Sequence, residues 1–325
     1  MRGNYLRCSN PSRRTHVKRV LITGASGLIG GEVLKLLSTG DKKLQLFGLD
    51  NRWDSEERIQ NQSESKIQCD ITSPDVTKVL SDVSPDVVIH AAAHPGGKSA
   101  LAPTENVAVN ALGSMRLFEW CSKNQRRVLF LSSSIVYGES AGGRLVESDD
   151  LQPGTIYGVT KAACESWLNI LHDAYDLDWI VLRLFSTYGA GHRPSLDQGI
   201  INVMLTQLRR GNIVISKGSL ARRRDLLHVA DAAQAIALTL AKWPSRRIMN
   251  ICTGRSTTVR ELIELLVHLE GRNINEIDIQ EVEGTVGDPV SNVGNPELAA
   301  QLLGFRARID LWEGLRLTLD PSHSD

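Results

Sequence analysis

Tyr157 and Lys161 stand four residues apart in the segment IYGVTK, at the start of a predicted helix. Residues i and i+4 of a helix share a face, so these two side chains project side by side. A free tyrosine, with a pKa of about 10, is a poor base at neutral pH, but a nearby ammonium favours the phenolate. The pair is therefore a candidate acid–base centre. The alternative is ordinary packing of one tyrosine and one lysine on an amphipathic helix.

Gly24, Gly27 and Gly30 lie where a predicted strand, KRVLITG, passes into a predicted helix. Such a turn lets the pyrophosphate of a dinucleotide approach the backbone at the helix N-terminus. Asp50 ends the second predicted strand and can accept hydrogen bonds from ribose hydroxyls. Its carboxylate also repels a 2′-phosphate, so NAD is favoured over NADP, although Arg52 follows two residues later.

Polar groups also follow two later predicted strands. Asp70 is placed either to meet the adenine amino group or to cap the next helix. The segment FLSSSIVYG, residues 130–138, carries three serines at the end of a strand. Ligands bind at the carboxyl ends of the strands in a doubly wound sheet. We therefore expect these hydroxyls near Tyr157 and Lys161.

Apolar runs of strand length alternate with helical patterns up to residue 185. The predicted strands are 18–24, 44–50, 65–70, 85–93, 126–134 and 178–185, and the predicted helices are 25–40, 74–82, 104–124, 155–175, 229–243 and 258–271. This alternation predicts a parallel sheet covered on both faces. The fold class is therefore α/β with a doubly wound parallel sheet.

The pattern also divides the chain. We expect a disordered tail at 1–17, a dinucleotide-binding domain at 18–185, and a smaller C-terminal region at 186–325 that mainly binds substrate and returns in part to the first domain. Residues 1–19 carry six basic residues and no acidic one. An organelle-targeting leader is the alternative for the tail, but an amphipathic apolar face is lacking.

Composition argues against several functions. The 37 basic and 37 acidic residues cancel, so no global field attracts nucleic acid or anionic lipid. No apolar run approaches the roughly 18 residues that span a bilayer. Five scattered cysteines show no zinc or disulfide pattern and fit a reducing compartment, the cytoplasm. His90 and His94 have no carboxylate or cysteine nearby in the sequence, so no metal site is predicted.

Taken in order, the glycine turn, HAAAH, SSSIVYG, YGVTK, RLFSTYGAG, RRDLLHVAD and NICTG resemble the extended short-chain dehydrogenase/reductase family, and within it the nucleotide-sugar epimerases and dehydratases. The resemblance covers about residues 18–320. It implies a Rossmann fold, NAD as cofactor and a nucleotide-diphosphate sugar as substrate. The cofactor-binding positions that it implies are Gly24, Gly27, Leu28, Ile29, Gly30, Asp50, Asn51, Asp70, Ile71, Ala91, Ala92, Ala93, Asn110, Tyr157 and Lys161.

The resemblance further implies three catalytic residues. Tyr157 removes the proton from a sugar hydroxyl, and Ser133, four positions before the Tyr-Gly of its strand motif, hydrogen-bonds the same oxygen. Lys161 holds the nicotinamide ribose and lowers the pKa of Tyr157. The dehydratases of the family carry Asp-Glu directly after the catalytic Ser or Thr, where this chain has Ser134 and Ile135.

Ile135 transfers no proton, so the expected reaction is 4-epimerisation of a UDP-sugar through a transient keto-sugar. The alternatives are a keto-sugar reductase, a dehydratase and a non-catalytic NAD-sensing protein. The implied substrate contacts are Ser133, Ser186, Arg224, Asp288 and Asn292.

Several of these contacts depart from the pattern of the family. Arg224 matches the arginine that contacts the diphosphate, but the run Arg222–Arg224 is also typical of a solvated basic face. The segment TVGD, residues 285–288, has Thr285 where arginine is usual, and Ser186 stands where asparagine is common. PGGK, residues 95–98, is an unusual loop that either shapes sugar specificity or only turns the chain.

Asn292 is the fourth residue after the Gly-Asp pair at 287–288, at a position that sets the size of the C2 substituent in relatives. The alternative is an asparagine chosen for its loop.

The resemblance predicts a homodimer through a four-helix bundle formed by residues 104–124 and 155–175. The apolar side chains expected there, which could instead face the sheet, are Leu112, Met115, Leu117, Phe118, Trp167, Leu168 and Leu171.

Overall fold

The computed structural model describes residues 18–40, 43–53, 65–139, 143–191 and 195–319, so the predicted tail lies outside the described residues. The strands are β1 (Lys18–Thr23), β2 (Leu44–Asp50), β3 (Ser65–Gln68), β4 (Val87–His90), β5 (Arg127–Ser133), β6 (Trp179–Leu184), β7 (Ser186–Tyr188), β8 (Ile213–Lys217), β9 (Arg223–Arg224), β10 (Leu226–His228), β11 (Arg247–Ile251), β12 (Thr257–Thr258), β13 (Asp278–Val282) and β14 (Ser291–Asn292).

The α-helices lie between these strands and after them. They are α1 (Leu28–Ser38), α2 (Val76–Val83), α3 (Gly96–Ser99), α4 (Pro103–Val107), α5 (Ser114–Lys123), α6 (Ile156–Tyr175), α7 (Ile200–Arg210), α8 (Val229–Lys242), α9 (Val259–Leu269), α10 (Glu297–Leu303) and α11 (Leu311–Leu319). A π-helical segment, Ala108–Gly113, joins α4 to α5, and 3-10 turns span Ser134–Tyr137 and Ile274–Glu276.

Seven parallel strands form the main sheet, in the order β11-β6-β5-β4-β1-β2-β3. All residues of β4 and β6 are buried, as expected of strands covered on both faces. Helices α1, α8 and α10 pack over one face, and α2, α5 and α6 pack over the other. The predicted doubly wound α/β fold is confirmed.

The C-terminal region has a core of its own, built mainly from α7, α9 and α11, and three short sheets, β7-β10, β9-β12-β14 and β8-β13. The chain also returns to the main sheet, because β11 pairs with β6 at one edge and α8 packs against α1. This return places the C-terminal region beside the carboxyl ends of β5 and β6.

The structure modifies the prediction of one long helix at 104–124, and for some of the predicted interface residues it favours the alternative that they face the sheet. The predicted helix at 104–124 is interrupted by the π-helical segment, in which the Asn110 carbonyl accepts hydrogen bonds from Ser114 and Cys164. Of the apolar residues assigned to a dimer interface, Leu117, Phe118 and Leu168 are buried in the core beneath the sheet, where burial of their side chains is favourable. Leu112 is half exposed.

Among the described residues, no helix is both long enough and apolar enough to cross a bilayer. Within the same ranges, no three His, Cys, Asp or Glu side chains are grouped as metal ligands would be.

Candidate active site

A cleft of about 1590 Å³ lies between the carboxyl ends of the sheet strands and the C-terminal region. Its lining includes the glycine turn, Ser132–Ile135, Tyr157, Lys161 and Arg224. Pockets for one small ligand usually measure about 300–1,000 Å³. The volume therefore suits two ligands, and the glycine turn is the part of the lining that suits a dinucleotide.

The glycine turn fits a pyrophosphate because its backbone leaves no room for side chains. Gly24 has φ +68°, and a Cβ there would lie 2.7 Å from the Ala92 nitrogen. A Cβ at Gly30 would lie 2.1 Å from the Gly24 carbonyl oxygen. Gly27 precedes α1 in extended conformation, and no side chain caps the helix. The helix N-terminus is thus open to an anion.

Asp50 ends β2 beside this turn, where its carboxylate accepts a 2.9 Å hydrogen bond from the Ser26 amide. Asp70 accepts 2.8 Å bonds from both the amide and the hydroxyl of Thr72, which is a local turn and not a helix cap, because α2 begins only at Val76 and its N-cap residue is Asp75. Gly24, Gly27, Leu28, Ile29, Gly30, Ala91 and Ala93 line the cleft. Within the described part of the chain, the cleft lining does not include Asp50, Asn51, Asp70, Ile71, Ala92 or Asn110.

Asn110 is buried and holds the end of the HAAAH segment. Its Oδ1 accepts a bond of 2.7 Å from the His94 amide, and its Nδ2 donates to the His94 carbonyl at 3.0 Å. Ile71 is also buried and packs against Gly113. Asn110 therefore fixes His94, whose neighbours Ala93 and Pro95 line the cleft.

The start of α6 explains why glycine follows Tyr157. Thr155 caps the helix, with its Oγ1 accepting a 3.0 Å bond from the Gly158 amide. A Cβ at Gly158 would lie 2.9 Å from the Ile135 carbonyl oxygen, so only glycine lets the helix approach the turn after β5 this closely. The approach brings Tyr157 into hydrogen-bonding contact with Ser133.

Burial raises the pKa of Tyr157 to about 12, against the effect of its hydrogen bond with Ser133. The side chain is therefore a protonated phenol at neutral pH. Burial lowers the pKa of Lys161 to about 8, while the Glu165 carboxylate acts in the opposite direction. The Lys161 ammonium donates to the Leu131 carbonyl at 2.8 Å and lies 5.8 Å from the centre of the Tyr157 ring.

A buried polar network fastens β5 to α6 behind these residues. Glu165, one turn after Lys161, accepts a 2.5 Å bond from the Ser132 hydroxyl and a 2.7 Å ion-pair bond from Arg183. The Arg183 guanidinium also lies 4.7 Å from the Tyr137 ring centre. The network fixes the relative positions of Ser133 and Tyr157, because each lies on one of the two tied elements.

Ser186, Arg224 and Asp288 line the cleft, and their contact with substrate stays a prediction. Arg224 donates to both oxygens of the Asp288 carboxylate at 2.8 Å. Arg222 and Arg224 are buried whereas Arg223 is exposed. The interpretation of this run as a solvated basic face is therefore wrong.

Asn292 does not line the cleft. It is 1% exposed in β14, where it pairs with Arg224 of β9, and its Nδ2 donates to the Ser134 carbonyl at 3.4 Å. The strand turns this side chain under the 3-10 turn, so the structure does not place it at the sugar as a gate.

Sequence reasoning did not single out a close contact across the cleft. A Cβ at Gly96 would lie 3.3 Å from the Tyr157 ring, and one at Gly97 would lie 1.7 Å from the Asp197 carbonyl oxygen. All four residues line the cleft. The adjacent glycines in PGGK were the available signal, while nothing in the sequence pointed to Asp197.

The model of the NAD-dependent epimerase/dehydratase family matches residues 20–252, which is most of the chain. The chain belongs to this family. Its cofactor is NAD, as predicted, and the resemblance inferred from the motifs is confirmed.

Known members of the family match nearly the whole chain. UDP-glucose 4-epimerase of Mycolicibacterium smegmatis is 27% identical over 93% of this chain and 97% of its own length. The structure of the Thermus thermophilus UDP-glucose 4-epimerase with NAD is 28% identical, with a TM-score of 0.84 over 93% of this chain and 98% of that one. A mouse dTDP-D-glucose 4,6-dehydratase is 26% identical over 93% of this chain and 88% of its own length. The family member described here is thus an NAD-dependent enzyme similar to both reaction types.

Proposed function

We propose that this protein is a 4-epimerase of a nucleotide-diphosphate sugar, with a UDP-sugar as substrate. The observation that carries the proposal is the geometry of one cleft. Ser133, Tyr157 and Lys161 meet between the glycine turn and Arg224, while Ile135 occupies the position at which dehydratases need an acid or a base.

In the proposed reaction, Tyr157 exchanges a proton with the C4 oxygen of the sugar, and the Ser133 hydroxyl hydrogen-bonds that oxygen. NAD, when bound, would supply the hydride acceptor and donor for C4 and would add the positive charge of its oxidised ring. Lys161 holds the nicotinamide ribose and contributes a second positive charge. The size of the cleft supports rotation of the keto-sugar before the hydride returns to its other face.

We further propose that the enzyme is cytoplasmic and homodimeric. Cys69, Cys121, Cys164 and Cys252 are free thiols, which suits a reducing compartment. Val107, Leu112, Val159 and Ile170 on α4, the π-helical segment and α6 expose apolar side chains, and a second copy of these helices would cover them.

A panel of UDP-sugars incubated with protein and NAD tests the reaction, with products resolved by their C4 configuration. An epimerase interconverts the C4 epimers and needs no added reductant. A keto-sugar reductase consumes NADH or NADPH in proportion to product, and a dehydratase yields a 4-keto-6-deoxy sugar. NAD released on denaturing purified protein would support the epimerase, and no turnover of any sugar would favour the NAD-sensing alternative.

A further inference from the structure

Two buried arginines share one carboxylate in the cleft. Arg222 and Arg224 are 8% and 7% exposed, and both line the cleft together with Asp288. Nη1 of Arg222 donates to one oxygen of Asp288, and Nη2 of Arg224 donates to both oxygens. The cluster therefore holds two guanidinium charges and a single carboxylate.

The second positive charge is not neutralised within the cluster. The pKa of Arg224 is lowered, chiefly by burial and also by the charge of Arg222, whereas Asp288 and the more remote Glu139 raise it. Buried charge without a partner is costly. An anion bound in the cleft would remove the repulsion between the two arginines.

Both guanidiniums keep donors for such an anion. An arginine has five N–H groups. Nε of Arg222 donates to the Ser219 carbonyl at 3.0 Å, and Nη2 donates to the Ser216 hydroxyl at 3.4 Å. With the Asp288 bond these occupy three N–H groups and leave two, one on each terminal nitrogen. Paired donors of this kind suit phosphate oxygens.

Among the described residues, position 285 does not supply the cation that the family usually has there. Thr285 is exposed and lines the cleft three residues before Asp288, at the position where the matching segment of the family usually has arginine. Arg222 and position 285 belong to different segments of the chain, but both line the cleft together with Asp288.

We propose that Arg222 is the second diphosphate-binding arginine of this enzyme, acting beside Arg224 in place of an arginine at position 285. The assignment rests on the proposed function, because the anion is the diphosphate of the nucleotide sugar. The added residue belongs to the segment at 222–224 and not to the segment at 285–288.

Calorimetric titration of the NAD-loaded protein with UDP tests the assignment. Arg222→Gln should weaken UDP binding by about 10- to 100-fold, the usual effect of losing a charge-assisted hydrogen bond of this strength, and should weaken UMP binding less. Arg223→Gln is the matched control, because Arg223 loses the same charge one residue away on an exposed side chain that bonds Ser256. This control should bind UDP within about twofold of the wild type.

A rescue variant separates ligand binding from folding. Thr285→Arg added to Arg222→Gln should restore most of the UDP affinity, since position 285 is exposed and accepts a long side chain. Arg222→Lys keeps the charge, serves if the glutamine variant does not fold, and should weaken UDP binding by about threefold to tenfold, because lysine cannot form the paired bonds. If Arg222→Gln or Arg222→Lys binds UDP as the wild type does, the assignment is wrong and the proposed function stands. If the wild type binds none of UDP, dTDP and GDP, the proposed substrate class fails and the assignment fails with it.

Discussion

Tyr157 is protonated at neutral pH, because burial raises the pKa of its phenol to about 12. It is therefore ready to donate a proton to a keto oxygen, and it becomes a base only when added positive charge lowers its pKa. The hydrogen bond with Ser133 lowers this pKa but does not offset the effect of burial. The predicted effect of Lys161 on Tyr157 stays a prediction, since the lysine ammonium is bonded to Leu131.

Tyr157→Phe should reduce turnover by about 10²–10⁴-fold, because the variant loses only the group that exchanges the proton. Binding of NAD should change little, since the ring that packs against Gly96 is kept. Steady-state kinetics and an NAD titration measure the two effects. Tyr175→Phe, at the exposed end of the same helix, is the control and should behave as wild type. Turnover near the wild-type rate in Tyr157→Phe would exclude Tyr157 as the acid–base residue.

Lys161 makes stability depend on pH in a definite direction. Its pKa is about 8 in the folded chain and 10.5 when exposed, so between these values the unfolded chain binds a proton that the folded chain does not. Stability from this group therefore rises as pH rises from about 8 to 10.5. Below pH 8 the buried Lys161 carries its charge, which lowers the free energy of unfolding.

Lys161→Met should accordingly raise the free energy of unfolding above that of the wild type, and the difference should be largest at pH 7. As pH approaches 10 the difference should shrink, by about 1.4 kcal/mol for each unit by which the pKa of Lys161 is lowered on folding. Urea unfolding of both proteins at pH 7, 8, 9 and 10, without added cofactor, gives the difference. A difference that stays constant over this range would show that Lys161 titrates normally.

Asp50→Asn should narrow the preference for NAD over NADPH. The amide keeps an oxygen that can accept from Ser26, which the carboxylate now does at 2.9 Å, but it no longer repels a 2′-phosphate. The dissociation constants of NAD and NADPH, measured for the wild type and the variant, give the preference of each protein. If the wild type already binds NADPH more tightly, Arg52 rather than Asp50 controls the pocket.

At the scale of elements, the sequence predicted those features that depend on residues close together in the chain. The glycine turn, the strand positions and the Tyr157–Lys161 pair all follow from spacing and from the composition of short segments. The features that the sequence did not predict depend on contacts between residues far apart in the chain. The π-helical break at Asn110, the position of Asn292 under the Ser134 carbonyl and the burial of Arg222 each depend on a partner from another part of the chain.

The start of α3 contacts the segment at 195–199 in the lining of the cleft, near Tyr157. Gly97→Ala would place a Cβ 1.7 Å from the Asp197 carbonyl oxygen, so one of the two segments must move, and we expect the cleft to widen. We expect a KM for the sugar nucleotide raised by about tenfold, equivalent to about 1.4 kcal/mol, with NAD binding kept. Gly40→Ala, where a Cβ meets nothing closer than 3.6 Å, is the control. An unchanged KM in Gly97→Ala would show that this contact does not shape the substrate site.

At the scale of the whole molecule, the exposed apolar face of α4, the π-helical segment and α6 predicts a dimer. Val107, Leu112, Val159 and Ile170 are 47–60% exposed, and pairing would remove this apolar surface from water. Light scattering at micromolar concentration should give twice the chain mass of 35.7 kDa. Val159→Asp with Ile170→Asp should give a monomer, whereas Val282→Asp, a comparably exposed position on β13, should leave the dimer intact. A wild-type monomer would end this proposal.

The edge strand β11 has a consequence for how the chain folds during synthesis. Residues 18–185 alone lack both β11 and α8, so the edge of β6 and the apolar side of α1 stay uncovered until residue 251 has left the ribosome. The NAD-binding half therefore waits for more than sixty residues that belong mainly to the other half. During that interval the nascent chain presents an unpaired strand edge, which is the kind of surface that chaperones cover.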